Sequence, residues 1–134
     1  LTVRNPWDSP NTDGLNPDSC SNVRISNCHI DVGDDCVTIK SGKEEVPESE
    51  RKACEKITVT NCTMVHGHGG VVIGSEMSGD IRYVFFTDNR LRSGASAIRF
   101  KANLDRGGTV EHVGVRQSPL ATFVDYRVKK RDSR

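Results

Sequence analysis

Ile57-Thr58-Val59-Thr60-Asn61 is a short stretch in which apolar and polar side chains alternate before an asparagine. Alternation with a period of two is typical of a β-strand that buries one face. Three further segments resemble this stretch and also end on asparagine: residues 1–5, 23–27 and 85–89. A motif that recurs in this way indicates an internal repeat, in which each copy begins with a strand.

A second apolar position follows each asparagine at a nearly constant distance. It comes ten residues after the first three asparagines and nine after the fourth, at Leu15, Val37, Val71 and Ile98. Each copy therefore consists of a strand, a turn containing Asn, a turn rich in Gly and Asp, and a second strand. A fifth, degenerate copy runs from Val110 through Val115 to Val124.

Repeats of this kind predict an all-β chain folded as a parallel β-helix of four to five coils, because units of about 20–30 residues with short strands are typical of β-solenoids. No window shows the apolar i, i+3, i+4 pattern of a helix. An all-β sandwich would match the strand content but not the constant offsets. We expect the four asparagines to stack at one corner and to hydrogen-bond from coil to coil.

Length and charge limit the organisation of the chain and its partners. Its 134 residues allow one domain, which we place at residues 1–127, with a charged and frayed tail at 128–134. The net charge is +1, from 19 basic and 18 acidic residues, so no strong field attracts nucleic acid. No apolar run approaches the length of about 20 residues that crosses a bilayer. We expect a monomer with neither a nucleic acid nor a membrane as partner.

The potential metal ligands form no recognisable metal site. Five cysteines lie in the first half of the chain, without a Cys-x-x-Cys pair, so a structural zinc site is not expected. They are interpreted as small buried core residues, with one disulfide at most and at least one cysteine left unpaired. His66-Gly67-His68 lacks a third ligand at a fitting offset. We expect no metal and no cofactor.

Acidic residues fall at equivalent positions of the repeat. Asp13 and Asp35 are both eight residues after an asparagine, while Asp34 and His68 are both seven residues after one. Equivalent positions in adjacent coils stack about 4.7–4.9 Å apart. Three carboxylates this close cannot all ionise cheaply, so at least one should hold a proton beside an ionised neighbour. Glycosidic bond cleavage requires such an acid and base.

Two cations follow in the fourth copy. Ile98 and Phe100 occupy the buried phase of that strand, so Arg99 and Lys101 should project from its outer face. Their spacing of about 6.6 Å would fit carboxylates along a polymer. Each motif alone is more often a turn or a solvated strand face. Together on one surface of one repeat, they favour a site for an anionic polysaccharide.

Four motifs, in this order, resemble those of the polygalacturonase family of glycoside hydrolases: Asn11-Thr12-Asp13, Gly33-Asp34-Asp35, Gly67-His68-Gly69 and Arg99-Phe100-Lys101. The family carries Asn-Thr-Asp, Gly-Asp-Asp, Gly-His-Gly and Arg-x-Lys along a right-handed parallel β-helix. The resemblance covers roughly residues 1–105. Phe100 stands where Ile is more usual. Family members are much longer, so the resemblance indicates a central fragment truncated at both ends.

The resemblance implies an inverting hydrolase that cleaves α-1,4 bonds between galacturonic acid units of pectin. Asp34 would then be the general acid, and Asp13 and Asp35 would activate the attacking water. His68 would sit near Asp34 and maintain its protonation or orientation. Substrate binding would fall to Arg99 and Lys101, which would hold galacturonate carboxylates, and to Asn11. The implied location is secreted or extracellular, or periplasmic.

Two alternatives remain open. The first is a β-helical fragment that binds galacturonan, or only folds, without turnover. The second is a calcium-dependent pectate lyase, in which Asp34 and Asp35 would supply oxygen ligands to Ca²⁺. Gly-His-Gly and Arg-x-Lys argue against the lyase. A lyase would also make an unsaturated, ultraviolet-absorbing product and stop in chelator, whereas a hydrolase would do neither.

Overall fold

The computed structural model describes residues 1–92, 95–117 and 120–127. Within them the chain forms twelve strands and one 3-10 helix, Glu48–Glu50. The strands are β1 (Thr2–Arg4), β2 (Ser21–Ser26), β3 (His29–Val32), β4 (Val37–Ile39), β5 (Cys54–Thr60), β6 (Thr63–His66), β7 (Gly69–Ile73), β8 (Ile81–Thr87), β9 (Arg90–Arg92), β10 (Ser96–Phe100), β11 (Thr109–Gln117) and β12 (Leu120–Arg127). In this described part no helix is long and apolar enough to span a membrane. The tail expected at 128–134 lies outside the described residues.

Successive coils pair in parallel and form three sheets. The first sheet has the order β1-β3-β6-β9, the second β4-β7-β10, and the third β2-β5-β8-β11-β12. Every pairing is parallel except that of β11 with β12. Coil two contains β2 to β4, coil three β5 to β7 and coil four β8 to β10, while coil one contributes β1 and the bridge at Leu15. The predicted right-handed parallel β-helix is confirmed.

The second apolar position of the repeat is in register across all four coils. Leu15 bridges to Val37, Val37 pairs with Val71, and Val71 pairs with Ile98. Stacking of like residues builds the interior, where Ile30 and Met64 are fully buried on paired strands of the first sheet. Burial of each such side chain stabilises the fold by about 1.5–3 kcal/mol.

The first copy of the repeat belongs to a different sheet from the one predicted. β1 pairs with β3, through Thr2 and His29, and not with β2. Asn5 therefore lies outside the asparagine column, and its Nδ2 donates to the carbonyl of Asp13 at 2.6 Å. Leu15 comes eleven residues after Arg4. In the next coil the residues paired with them, Val37 and Asp31, are only six apart, so the first turn is five residues longer. An alternating strand fits either sheet, and only pairing distinguishes them.

The fourth copy is shifted by one residue. Thr87 pairs with Thr60, which puts Asp88 and not Asn89 at the position of Asn61. The nine-residue spacing in the sequence reflects this shift. Only one step of the expected ladder is observed among the described residues, where Asn61 Nδ2 donates to Asn27 Oδ1 at 2.7 Å. Asn89 is instead buried and caps the turn, because its Oδ1 accepts from the Cys62 N–H at 2.9 Å.

The last strands depart from the repeat. β11 continues the third sheet in parallel with β8, as the fifth copy predicts, but β12 turns back antiparallel. Val124 is therefore paired with Val113 in an antiparallel hairpin and does not begin another coil. Ile98 also differs from expectation, since it is 39% exposed. Its strand, β10, is the edge of the second sheet as far as the structure describes it, so no further strand covers it.

All five cysteines are free, and four of them are buried: Cys28, Cys36, Cys54 and Cys62. These four act as small core residues, as the sequence predicts, whereas Cys20 is exposed and no disulfide forms among the five. Burial raises the pKa of the Cys36 thiol to about 12, and the nearby charges of Asp35 and Asp31 add to the shift. This thiol is therefore not a nucleophile at neutral pH.

Candidate active site

Three aspartates meet where adjacent coils turn into the second sheet. Asp13, Asp34 and Asp35 each offer a carboxylate oxygen within 4.8 Å of the others. The Gly14 N–H donates to the carbonyl of Asp35 at 2.9 Å, which brings Asp13 beside Asp35 as the repeat predicts. Gly14 permits this approach, because a Cβ there would lie 2.2 Å from the Cys36 carbonyl.

The three carboxylates have different surroundings. Asp35 is 2% exposed, its Oδ2 forms an ion pair with Lys101 Nζ, and its Oδ1 has no hydrogen-bond partner among the described residues. Asp34 is 26% exposed, and its Oδ1 accepts from the Asp35 N–H at 2.8 Å. Asp13 Oδ2 accepts from Asn16 Nδ2 at 2.8 Å. The cluster thus consists of Asp35, which is buried and paired with a cation, and of Asp34 and Asp13, which are both partly exposed to solvent.

His68 joins the cluster from coil three. Its backbone N–H donates to the Asp34 carbonyl at 3.2 Å, and its Nδ1 lies 3.4 Å from Asp34 Oδ1. Gly67 makes the approach possible, because it has a φ of 71° and a Cβ there would lie 2.5 Å from the Asp34 carbonyl. The Gly-His-Gly motif therefore positions the imidazole on the acid by allowing close contact between coils.

The remaining predicted site residues are arranged less uniformly. Lys101 does not project freely into solvent: its side chain is 27% exposed and bound to Asp35. Arg99 is exposed on β10, the strand that ends one residue before Lys101. Asn11 is exposed in the long first turn, with a φ of 55°. The structure thus brings together five of the seven predicted site residues: Asp13, Asp34, Asp35, His68 and Lys101. The other two, Arg99 and Asn11, are exposed.

The aspartate cluster has the oxygen ligands that a hard cation such as Ca²⁺ prefers. A divalent ion would nevertheless compete with Lys101, whose ammonium group already neutralises Asp35 Oδ2. A protein cation at this position fits an acid/base site better than a metal site. Proton transfer between neighbouring carboxylates and binding of an anionic substrate are the chemistry that this arrangement supports.

A second group beside the cluster was not predicted from the sequence. Trp7 Nε1 donates to Asp31 Oδ1 at 3.0 Å, and His66 Nδ1 lies 2.9 Å from the same oxygen. The Trp7 and His66 rings are in contact, with centroids 3.7 Å apart. The His66 hydrogen bond, aided by that of Trp7, holds the pKa of Asp31 below its usual value against the effect of burial. The feature of the sequence that could have indicated this group is the tryptophan in an otherwise polar turn.

Fold and site together define a parallel β-helix protein with a cluster of three carboxylates, a histidine and a lysine on its surface. The chain matches the sequence model of "Glycosyl hydrolases family 28" over residues 1–122, and it belongs to that family. The resemblance seen in the four motifs is thereby confirmed.

Individual relatives support this assignment. The chain is 40% identical over 124 residues to a "Probable polygalacturonase" of Vitis vinifera, covering 92% of this chain and 25% of that protein. It is 30% identical to an "Exopolygalacturonase" of Zea mays, covering 95% and 31% respectively. A crystal structure of a hyperthermoactive exopolygalacturonase from Thermotoga maritima superposes with a TM-score of 0.74 at 32% identity, covering 88% of this chain and 31% of that one. The chain thus spans about a quarter to a third of these relatives.

Proposed function

We propose that the protein hydrolyses α-1,4-glycosidic bonds between galacturonic acid units of pectin or polygalacturonate, with inversion at the anomeric carbon. The observation that carries this proposal is the contact of Asp34 with His68 beside Asp13 and Asp35, in a chain of family 28. The relatives' names, polygalacturonase and exopolygalacturonase, favour this substrate. We also propose that the protein is secreted and acts on the cell wall, which is consistent with these relatives. We expect it to be a monomer.

Asp34 is assigned as the general acid. Its Oδ1 is engaged by the Asp35 N–H and faces His68 Nδ1, which leaves Oδ2 as the oxygen that carries the transferable proton. Its partial exposure lets it reach a bound substrate. In the reaction the O–H bond of Asp34 breaks as the leaving glycosidic oxygen takes the proton. His68 would orient the carboxyl group and later help to restore its proton.

Asp13 and Asp35 are assigned as the base. Lys101 forms an ion pair with Asp35, and Asn16 orients the carboxylate of Asp13. Between them they would accept a proton from the water that attacks the anomeric carbon. The nearest oxygens of the cluster lie within 4.8 Å, closer than the separation of about 6.5–9.5 Å between carboxyl groups that is usual for inverting enzymes. The stereochemical outcome is therefore a direct test of the mechanism.

Substrate binding is assigned to exposed groups around the carboxylates. Arg99 would hold a galacturonate carboxylate in a bidentate pair, since its guanidinium group is exposed. Lys101 would bind the sugar next to the cleaved bond and at the same time keep its ion pair with Asp35. Asn11 would contact a sugar hydroxyl from the long first turn.

The test is release of reducing ends from polygalacturonate by the 134-residue chain, with chelator present and ultraviolet absorbance followed in parallel. New reducing ends without absorbance are expected. Asp34→Asn should lower kcat by about 10²–10⁴-fold, the usual contribution of a general acid. Asp8→Asn, an exposed aspartate in the first turn, is the matched control and should keep full activity. Absorbance that rises and then stops in chelator would show a lyase, and no product at all would show a non-catalytic fragment.

A further inference from the structure

Trp7 and His66, here called the aromatic platform, are in ring contact although they belong to coils one and three. Trp7 comes from the five-residue extension of the first turn, and His66 ends β6 in coil three. Their ring centroids lie 3.7 Å apart at an interplanar angle of 36°. Asp31 of coil two bonds to both rings through a single oxygen, Oδ1, which contacts Trp7 Nε1 and His66 Nδ1.

The platform is exposed, yet it is held in place. Trp7 is 60% exposed, and the side chain of His66 is 46% exposed, so a large part of both rings faces solvent. The only polar atom of the indole is already bonded to Asp31, which leaves carbon as its exposed surface. Isolated exposed apolar residues are common and need no explanation. A tryptophan fixed by a hydrogen bond and a ring contact is different, because its rotamer is ordered before any ligand arrives.

The platform adjoins the acid Asp34. A Cβ on Gly33, the residue before Asp34, would lie 2.8 Å from the Cα of Trp7, so the first turn rests directly on this point of the chain. His66 is two residues from His68, which spans at most about 7 Å between Cα atoms. His68 in turn contacts Asp34. The platform therefore adjoins the residue proposed as the general acid, on the side of the first turn.

We propose that the aromatic platform is a stacking subsite for a sugar ring next to the cleaved bond. The proposal rests on the function proposed above. One face of a galactopyranose ring presents the C–H bonds of C3, C4 and C5, which pack on an aromatic face, while its hydroxyls point away. His66 is hydrogen-bonded to Asp31, so the platform offers a ligand mainly its aromatic surface. It therefore recognises the ring, and Arg99 is left to recognise the carboxylate.

Trp7 is the only tryptophan of the chain, so its fluorescence reports directly on the platform. Trigalacturonate is titrated into the Asp34→Asn variant, in which turnover should be strongly slowed, and binding is followed by emission and by calorimetry. The emission maximum of Trp7 should shift to shorter wavelength, and both methods should return the same Kd. Unchanged emission at concentrations that saturate the calorimetric signal would overturn the proposal.

Variants provide an independent test. Trp7→Ala should raise Kd and KM about three- to tenfold with little change in kcat, as expected when a contact that contributes equally to ground-state and transition-state binding is lost. Trp7→Phe should keep most of the affinity. Tyr83→Ala removes another exposed aromatic, 43% exposed on the third sheet, and should change neither constant. Circular dichroism of each variant checks that it is folded.

Failure of the platform and failure of the proposed function give different results. If the chain cleaves polygalacturonate and Trp7→Ala has the parental KM, the platform is refuted and the function stands. If no cleavage occurs but trigalacturonate shifts the Trp7 emission, the platform stands without the activity. If the chain cleaves nothing and trigalacturonate does not bind, both are refuted.

Discussion

Replacing Lys101 by methionine would leave the carboxylate of Asp35 alone in a nearly closed environment. Asp35 is 2% exposed and Lys101 is 27% exposed, so the ion pair is buried on the acid side only. Removing one partner of a fully buried pair costs about 3–5 kcal/mol, because the other charge stays uncompensated. Solvent at Lys101 screens part of this effect. We therefore expect Lys101→Met to lower the free energy of unfolding by about 3 kcal/mol, the lower end of that range.

The assay is urea denaturation of four proteins: the parent, Lys101→Met, Asp35→Asn and the double variant. The double variant should regain most of the lost stability, because an amide needs no cation, and the coupling between the two sites should be clearly non-zero. A loss below about 0.5 kcal/mol, as for an ordinary surface substitution, would refute the assignment of Lys101 to the stability of the cluster.

Three further results are expected. Proton magnetic resonance of the first product formed should show the β-anomer, and initial formation of the α-anomer would contradict inversion. Asp31→Asn should be less stable than the parent near neutral pH and approach it in acid, measured by urea denaturation over a pH series. The reason is that the lowered pKa of Asp31 stabilises the folded state above the pKa of the unfolded state, and this stabilisation is lost as pH falls through the pKa of the folded state. A stability difference between parent and variant that does not change with pH would contradict this. Dithionitrobenzoate should react rapidly with one thiol, Cys20, and with the other four only after unfolding, because they are buried; rapid reaction of more than one would contradict the packing.

Much of the architecture follows from the sequence, because in a solenoid a residue's position along the chain also specifies its neighbours in space. Leu15, Val37, Val71 and Ile98 recur at almost constant offsets, and they are in register. The same offsets predict that the three aspartates and His68 lie close together. Neither inference requires knowledge of any turn geometry, since each coil repeats the path of the one before it.

Sheet membership and exact register were predicted less well. Residues 1–5 alternate like the strands of the third sheet, but β1 belongs to the first sheet. Asn89 resembles the other asparagines in sequence, yet Asp88 occupies their position. Alternation is the same for any strand with one buried face, and a slip of one residue is visible only when the partner strand is known.

The sequence therefore specifies the coil, its apolar columns and the four motifs that meet at the site. The partners of individual side chains depend on tertiary structure. Lys101 turns back to Asp35 across 66 positions of sequence, and Asp31 joins Trp7 to His66 from three different coils. These contacts depend on how far each turn carries the chain before the next strand begins. The first turn, for example, is five residues longer than the next one. The path of each turn is determined by how the coils pack on one another, and the local sequence pattern does not specify that packing.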